Sequence, residues 1–256
     1  QIVLLMKFQK FRELSMTFPV NHQQLLSGNE FMNLNNNLKK IREYTKNHTE
    51  LLKSHHFLFN CPLSKDFKYS DAIVIGLNPG ESPRDWDYGK NLPTEESHEF
   101  DFHDEFGKGR SSVRWSKYCK DYLNTDKVTL SEFFFWSSAQ VGEDPLKGET
   151  FSERFGYKFK NCPHFNFCKE QNIDLINFHN PKVIIATGTT HSDYFAKIYN
   201  LKHIETLNCE NDSRNRRVIV HYEFNDTPFL FTPHWSAGFV SNEEEIFIKN
   251  FISRIK

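Results

Sequence analysis

The stretch Ile73-Val74-Ile75-Gly76-Leu77-Asn78-Pro79-Gly80 decides the fold class, because an apolar strand runs there directly into a tight turn that exposes one polar side chain, Asn78. Glycines on either side let the backbone approach a ligand closely, and Pro79 stops the strand and stiffens the turn. Alone, so short a motif fits a turn without chemistry equally well.

Two further strand ends alter that balance. Pro228-Phe229-Leu230-Phe231-Thr232-Pro233-His234-Trp235-Ser236-Ala237-Gly238-Phe239 is again an apolar strand ending in a Pro-bounded turn, now presenting His234 and Ser236. Asn180-Pro181-Lys182-Val183-Ile184-Ile185-Ala186-Thr187-Gly188-Thr189-Thr190 lies between them, a buried-type strand opening into a Gly-Thr-Thr turn and a helical segment. Strands of this kind predict a parallel sheet, whose carboxyl edge is where open α/β folds place ligands.

A Gly-x-Asn-Pro-Gly turn after the first strand, a Pro-Lys-Val-Ile-Ile-Ala-x-Gly strand two-thirds along, and a His-x-Ser loop after the last strand resemble the uracil-DNA glycosylase superfamily. The resemblance covers residues 70 to 254. It is closest to branches whose first motif carries Asn, the mismatch-specific and single-strand-selective glycosylases. It implies a three-layer α/β/α sandwich with a short, mainly parallel central sheet.

Composition bounds the reading. A chain of 256 residues, 38% hydrophobic and 25% charged, suits one main domain of 61–256 preceded by a helical extension over 1–60. In that extension Leu25-Leu26, Phe31, Leu34, Leu38, Ile41, Tyr44 and Leu51-Leu52 recur at three-to-four spacing. Phe is abundant, 26 residues against 3 Met, and most are expected in the core. A net charge of -1 means that any DNA contact comes from a local basic face. Lys108-Gly109-Arg110 with Arg114 is the favoured face, whereas for Arg214-Asn215-Arg216-Arg217 a solvated loop and phosphate contacts stay equally open.

Five cysteines at irregular spacing argue against a disulfide scaffold and for a reducing compartment, the cytoplasm. Ile2 to Met6 is too short for a membrane span, so no membrane association is expected. Some branches of the superfamily hold an iron-sulfur cluster, but Cys61, Cys119 and Cys209 are isolated from the Cys162-Pro163-His164-Phe165-Asn166-Phe167-Cys168 segment. Neither a cluster nor a zinc site on Cys162, His164 and Cys168 is expected, and no cofactor is called for.

The remaining pattern predicts a long polar excursion over residues 81 to 105, a helix over Lys108 to Leu123 and a second strand over Val128 to Ser137. It also predicts a helix over Ile173 to His179, strands over Arg217 to Tyr222 and Phe229 to Thr232, and a closing amphipathic helix over Asn242 to Ile255. The two strands flanking Asn225-Asp226 read either as a hairpin or as separate neighbours.

Cleaving an N-glycosidic bond needs an extruded base, stabilisation of the charge developing on it, and a water placed below the sugar C1′. The resemblance assigns the water to Asn78, with Gly76, Leu77, Pro79 and Gly80 around the base, and assigns to His234 a hydrogen bond to the pyrimidine O2. It places Phe106 under the flipped base, Ala237, Gly238 and Phe239 beside Ser236 in a wedge loop, and Thr189 and Thr190 on a phosphate.

The chain departs from the family at the second strand, where Phe133-Phe134-Phe135-Trp136-Ser137-Ser138-Ala139-Gln140 carries no Asn to read a uracil edge. Trp136 and the small Ser137 and Ser138, with Trp86 and Tyr88 of the excursion, suggest a pocket roomier than uracil needs. Trp235 also stands where Pro is usual. The expected activity is therefore a monomeric, monofunctional DNA glycosylase acting on a modified pyrimidine. A bulky modified cytosine of phage DNA comes first, in an anti-phage role, and uracil or mismatched thymine second. A catalytically silent nucleic-acid sensor is the reading from another class. A phosphate loop at Gly107-Lys108-Gly109-Arg110-Ser111-Ser112 and a Ser-His-Asp hydrolase both fail on spacing.

Overall fold

The computed structural model describes residues 28–55, 57–62, 68–81, 110–209, 216–235 and 240–255. Seven strands, β1 (Cys61–Pro62), β2 (Ala72–Gly76), β3 (Val128–Glu132), β4 (Val183–Thr187), β5 (Lys202–Asn208), β6 (Arg217–Phe224) and β7 (Thr227–Thr232), form one sheet in the order β1-β3-β2-β4-β7-β6-β5. The central β3-β2-β4-β7 run is parallel, and β1, β6 and β5 add antiparallel edges.

Helices cover both faces. On one side α1 (Gly28–Lys46), α3 (Phe151–Phe155), α4 (Phe165–His179) and α5 (Ser192–Tyr199) pack on Ile73, Ile75, Ile184, Ala186, Phe229 and Phe231. On the other, α2 (Arg110–Leu123) and α6 (Asn242–Ile255) pack on Ala72, Val74, Val128, Leu130, Val183 and Ile185. Successive strand residues thus feed opposite cores, as a pleated strand with both faces covered must. The architecture is a three-layer α/β/α sandwich. No helix among the described residues is long and apolar enough to cross a membrane.

The breaks between elements follow local chemistry. α4 ends on Asn180 in the left-handed conformation (φ 46°), followed by Pro181, so it can only stop there. Asn225 and Asp226 are both left-handed (φ 48° and 64°), the two-residue turn whose twist suits adjoining antiparallel strands, so β6 and β7 form a hairpin.

The second strand is shorter than its composition suggests. β3 ends at Glu132 rather than at Ser137. The reason is visible in the packing: Phe133, Phe134, Phe135 and Trp136 all enter the same apolar cluster, whereas a strand would send alternate residues to opposite faces. Phe133 stacks on Phe195 at 3.7 Å, and Phe134 meets Phe151 and Phe155 edge-on, so this aromatic run is core. β5, mostly exposed along its length, offers no hydrophobic alternation and is invisible to periodicity. Cys61–Pro62, which no apolar run marks as a strand, pairs with Thr129 and Leu130.

Candidate active site at the carboxyl edge of the sheet

β2, β4 and β7 end side by side, and the Asn78, Thr189 and His234 turns follow directly from those ends. Beyond β2 the chain keeps company with the segment after β3. Phe133 N–H donates to Gly76 O (2.8 Å), Phe134 N–H to Leu77 O (3.0 Å), Ser138 N–H to Pro79 O (3.2 Å) and Glu81 N–H to Ser138 O (3.2 Å). Gly80 makes an isolated parallel bridge to Ser138. The Asn78 turn is therefore held along its length by backbone bonds.

Its side chain is held as firmly. Asn78 Nδ2 donates to Ser138 Oγ (2.7 Å), Pro79 O (3.1 Å) and Trp136 O (3.4 Å). Ser138 Oγ in turn donates to Gln140 O (2.9 Å), which makes it an acceptor toward Asn78. Two of the three partners are carbonyls that can only accept, so the nitrogen faces inward and Oδ1 faces away. No described residue donates to Oδ1, and Asn78 is half-buried, so among the described residues Oδ1 is an acceptor without a donor at the sheet edge.

Gly76 matters for space rather than for backbone conformation: a Cβ there would fall onto the Glu132 carboxylate. Glu132 closes β3 in register with Gly76, is buried, and has an Oε2 with no hydrogen-bond partner. Burial pushes its carboxyl well above the usual range, which favours the protonated form, a group that both donates and accepts. Across Gly76, at the end of β4, the buried Thr187 hydroxyl also lacks a partner. Sequence reasoning passed over both residues. The signal available was a carboxyl closing an otherwise uncharged strand.

Gly188 is left-handed (φ 103°) and its α-carbon faces the Leu77 side chain, so the first and third turns touch here. Thr189 and Thr190 open a 3-10 turn before α5, and no side chain caps that turn or the helix. His234 is half-buried, and desolvation holds its imidazole below the ordinary value, neutral at pH 7. Trp235 is fully buried, donates Nε1–H to Thr232 Oγ1 (3.0 Å) and meets Tyr122 edge-on at 5.4 Å. An indole at this position anchors the His loop to α2, a task that Pro could not perform.

Three residues expected to line the pocket lie elsewhere. Trp136 is fully buried with its indole N–H on Thr45 Oγ1 (3.0 Å), in the helical layer that contains α1. Ser137 is buried and donates to Glu81 Oε1 (2.6 Å), and the Ser138 hydroxyl serves Asn78. The hydroxyls of Ser137 and Ser138 are thus spent on internal partners that support the turn. Arg110 and Arg114 lie on α2. Phe106, Trp86, Tyr88, Lys108, Ser236, Ala237, Gly238 and Phe239 lie outside the described residues.

In the other basic cluster, Arg216 pairs with both oxygens of the buried Glu244 at 2.7 and 2.8 Å, securing the start of α6. Arg217 lies 3.5 Å from Asp193. His164 is equally committed, with Nδ1 on Tyr44 Oη (2.9 Å) and Nε2 on Glu50 Oε1 (3.1 Å). Burial pushes the Cys162 thiol up to about 12 and the Cys168 thiol up as well, which suits core packing rather than ligation. No described group of His, Cys, Asp or Glu is arranged to hold a metal. Compared with protein-family models and with curated proteins, the chain matches none of them, so its functional reading rests on the chemistry of these strand ends.

Proposed function

We propose that this protein is a monofunctional DNA glycosylase that hydrolyses the N-glycosidic bond of a flipped pyrimidine. The observation that carries the reading is the locked amide of Asn78, whose inward Nδ2 leaves Oδ1 as an acceptor that can hold a water by its proton. As the C1′–N1 bond breaks, its electron pair passes to the base. The water oxygen bonds C1′, and the proton it loses ends on the departing base, neutralising the electron pair left there. His234, neutral because it is desolvated, donates an N–H to the pyrimidine O2 where negative charge develops.

The base edge meets hydrogen-bonding groups of a distinctive kind. Glu132 is buried beside Gly76 with its carboxyl raised by desolvation, and if the base reaches it, a protonated carboxyl there would donate to the ring N3 of a cytosine and accept from its 4-amino group. The favoured substrate is a bulky modified cytosine such as phage DNA carries, on the strength of the missing strand-two Asn and the long 81–105 excursion, and the role an anti-phage one. Uracil or mismatched thymine is the second reading, since the same carboxyl can accept from N3–H and donate to O4.

The test is to incubate the protein with DNA carrying glucosylated hydroxymethylcytosine, uracil or a thymine mismatch, and to identify released bases by mass spectrometry. Release of the modified cytosine in preference to uracil is expected. Efficient uracil release with none from modified DNA would sink the substrate assignment, and binding without release of any base would favour a silent sensor.

A further inference from the structure

We propose that the buried ion pair between Arg154 and Glu81 is a positioning device for the hydrolytic turn, keeping the Asn78 amide with Nδ2 inward and Oδ1 outward. Its catalytic consequence rests on the glycosylase reading, whereas its effect on Asn78 does not.

Arg154 sits on α3, a short helix delimited by a Thr150/Glu153 capping box and the left-handed Gly156. Its guanidinium is almost entirely enclosed and divides between two carboxylates. Nε and Nη2 bond Glu149 Oε2 at 2.8 and 2.5 Å, and Nη1 bonds Glu81 Oε1. The Glu81 side chain is fully buried, and the same Oε1 also accepts from Ser137 Oγ (2.6 Å).

Ser137 is the neighbour of Ser138, the hydroxyl that receives Asn78, and Glu81 is three residues beyond Asn78. Ser137 is braced again from behind: its carbonyl accepts from Ser54 Oγ (3.0 Å) and Arg154 Nη1 (3.4 Å), and its Oγ from His55 N–H (3.1 Å). One guanidinium therefore reaches both strands of the ladder that Glu81 N–H, Ser138 O, Ser138 N–H and Pro79 O build.

Stability alone does not call for such an arrangement. Desolvating a carboxylate and a guanidinium is costly, and a well-packed apolar pair often serves a core as well or better. What the pair supplies is direction. A planar fork with fixed donor angles sets the distance between α3, Ser137 and Glu81, and hence the register of the turn with residues 136–138. Lysine, a point charge, would satisfy one carboxylate without fixing the other.

The experiment uses Arg154→Lys, Arg154→Gln and Glu81→Gln, with Glu149→Gln as control because Glu149 holds the guanidinium from the side away from the turn. The protein of residues 1–256 labelled with 15N-asparagine reports the Asn78 side-chain amide, assigned by its loss in Asn78→Asp. Single-turnover base release and DNA affinity are measured alongside. In the Arg154 and Glu81 variants the Asn78 amide resonance should move, and release should slow by about ten- to a hundredfold, as expected for a slightly misplaced reacting group. DNA affinity should stay within about twofold, because the loss falls on the transition state. Glu149→Gln should leave resonance and rate near wild type.

An unmoved Asn78 resonance in folded Arg154→Lys and Glu81→Gln would overturn the proposal, even if Arg154→Gln itself does not fold. If the wild type releases no base from any DNA, the glycosylase reading fails and the resonance alone decides the positioning role.

Discussion

The amide of Asn78 has one orientation that suits its neighbours, because two backbone carbonyls and a hydroxyl already committed as a donor leave room only for an N–H2 group on the inner side. An aspartate there would set a carboxylate oxygen against the Pro79 and Trp136 carbonyls, so asparagine is the residue these surroundings accept. On the proposed glycosylase reading, in which both residues act mainly on the transition state, Asn78→Ala and His234→Ala are expected to lower single-turnover base release by about two to three orders of magnitude while DNA binding survives. Wild-type turnover in either variant, measured with DNA saturating, would reject its assigned role.

At the level of elements, the sheet is tied to α4 by polar contacts as well as by apolar ones. Buried Asn172 of α4 accepts from Ser131 Oγ at 2.6 Å and donates to Glu132 O at 2.9 Å, which holds the end of β3 where the Glu132 carboxyl can rest on Gly76. At the other end of α4, His179 Nδ1 accepts from Ser70 N–H (3.3 Å), which only an unprotonated Nδ1 can do. Burial lowers its pKa to about 4 from the ordinary 6.5.

The folded state therefore binds fewer protons than the unfolded chain between those values. The contribution is complete above about pH 6.5 and is lost as pH falls toward 4, up to about 3 kcal/mol in all. Urea unfolding at pH 7, 5.5 and 4.5 should show His179→Gln, which keeps an acceptor, losing less stability on acidification than the wild type. Parallel pH slopes for the two proteins would refute this account of His179.

Over the whole molecule, a net charge of -1 means that the proposed DNA binding would depend on a local field, and Arg216 is withdrawn from it by Glu244. That shifts the weight to Lys108, Arg110 and Arg114, the last two on α2, which packs beside the anchored Trp235. Replacing all three with Gln should reduce the slope of log affinity against log salt by about 2 to 3 on duplex DNA, each phosphate contact being worth about 0.9. An unchanged slope would move the DNA-binding face elsewhere on the surface.

The three-layer fold was legible because β2, β4 and β7 are continuous apolar runs stopped by glycine or proline turns, a pattern that depends on chain neighbours alone. The closing helix over Asn242–Ile255 was legible for the same reason, its apolar period surviving without tertiary context. Asn78 and His234 were recognisable by their place just beyond such strands. Where β3 ends was not, because Phe133 to Trp136 suit a strand by composition and leave it only to fill one aromatic core. Nor could composition show that Ser137, Ser138 and Arg154 serve the Asn78 turn, since those partners stand between 17 and 73 residues apart in the chain. Burial, which raises the Glu132 carboxyl above its usual range and leaves its Oε2 without a partner, is a property of the assembled layers. Local pattern specifies strands and turns, while desolvation and long-range hydrogen bonding, which exist only once the sheet is covered on both faces, decide what the side chains at its edge can do.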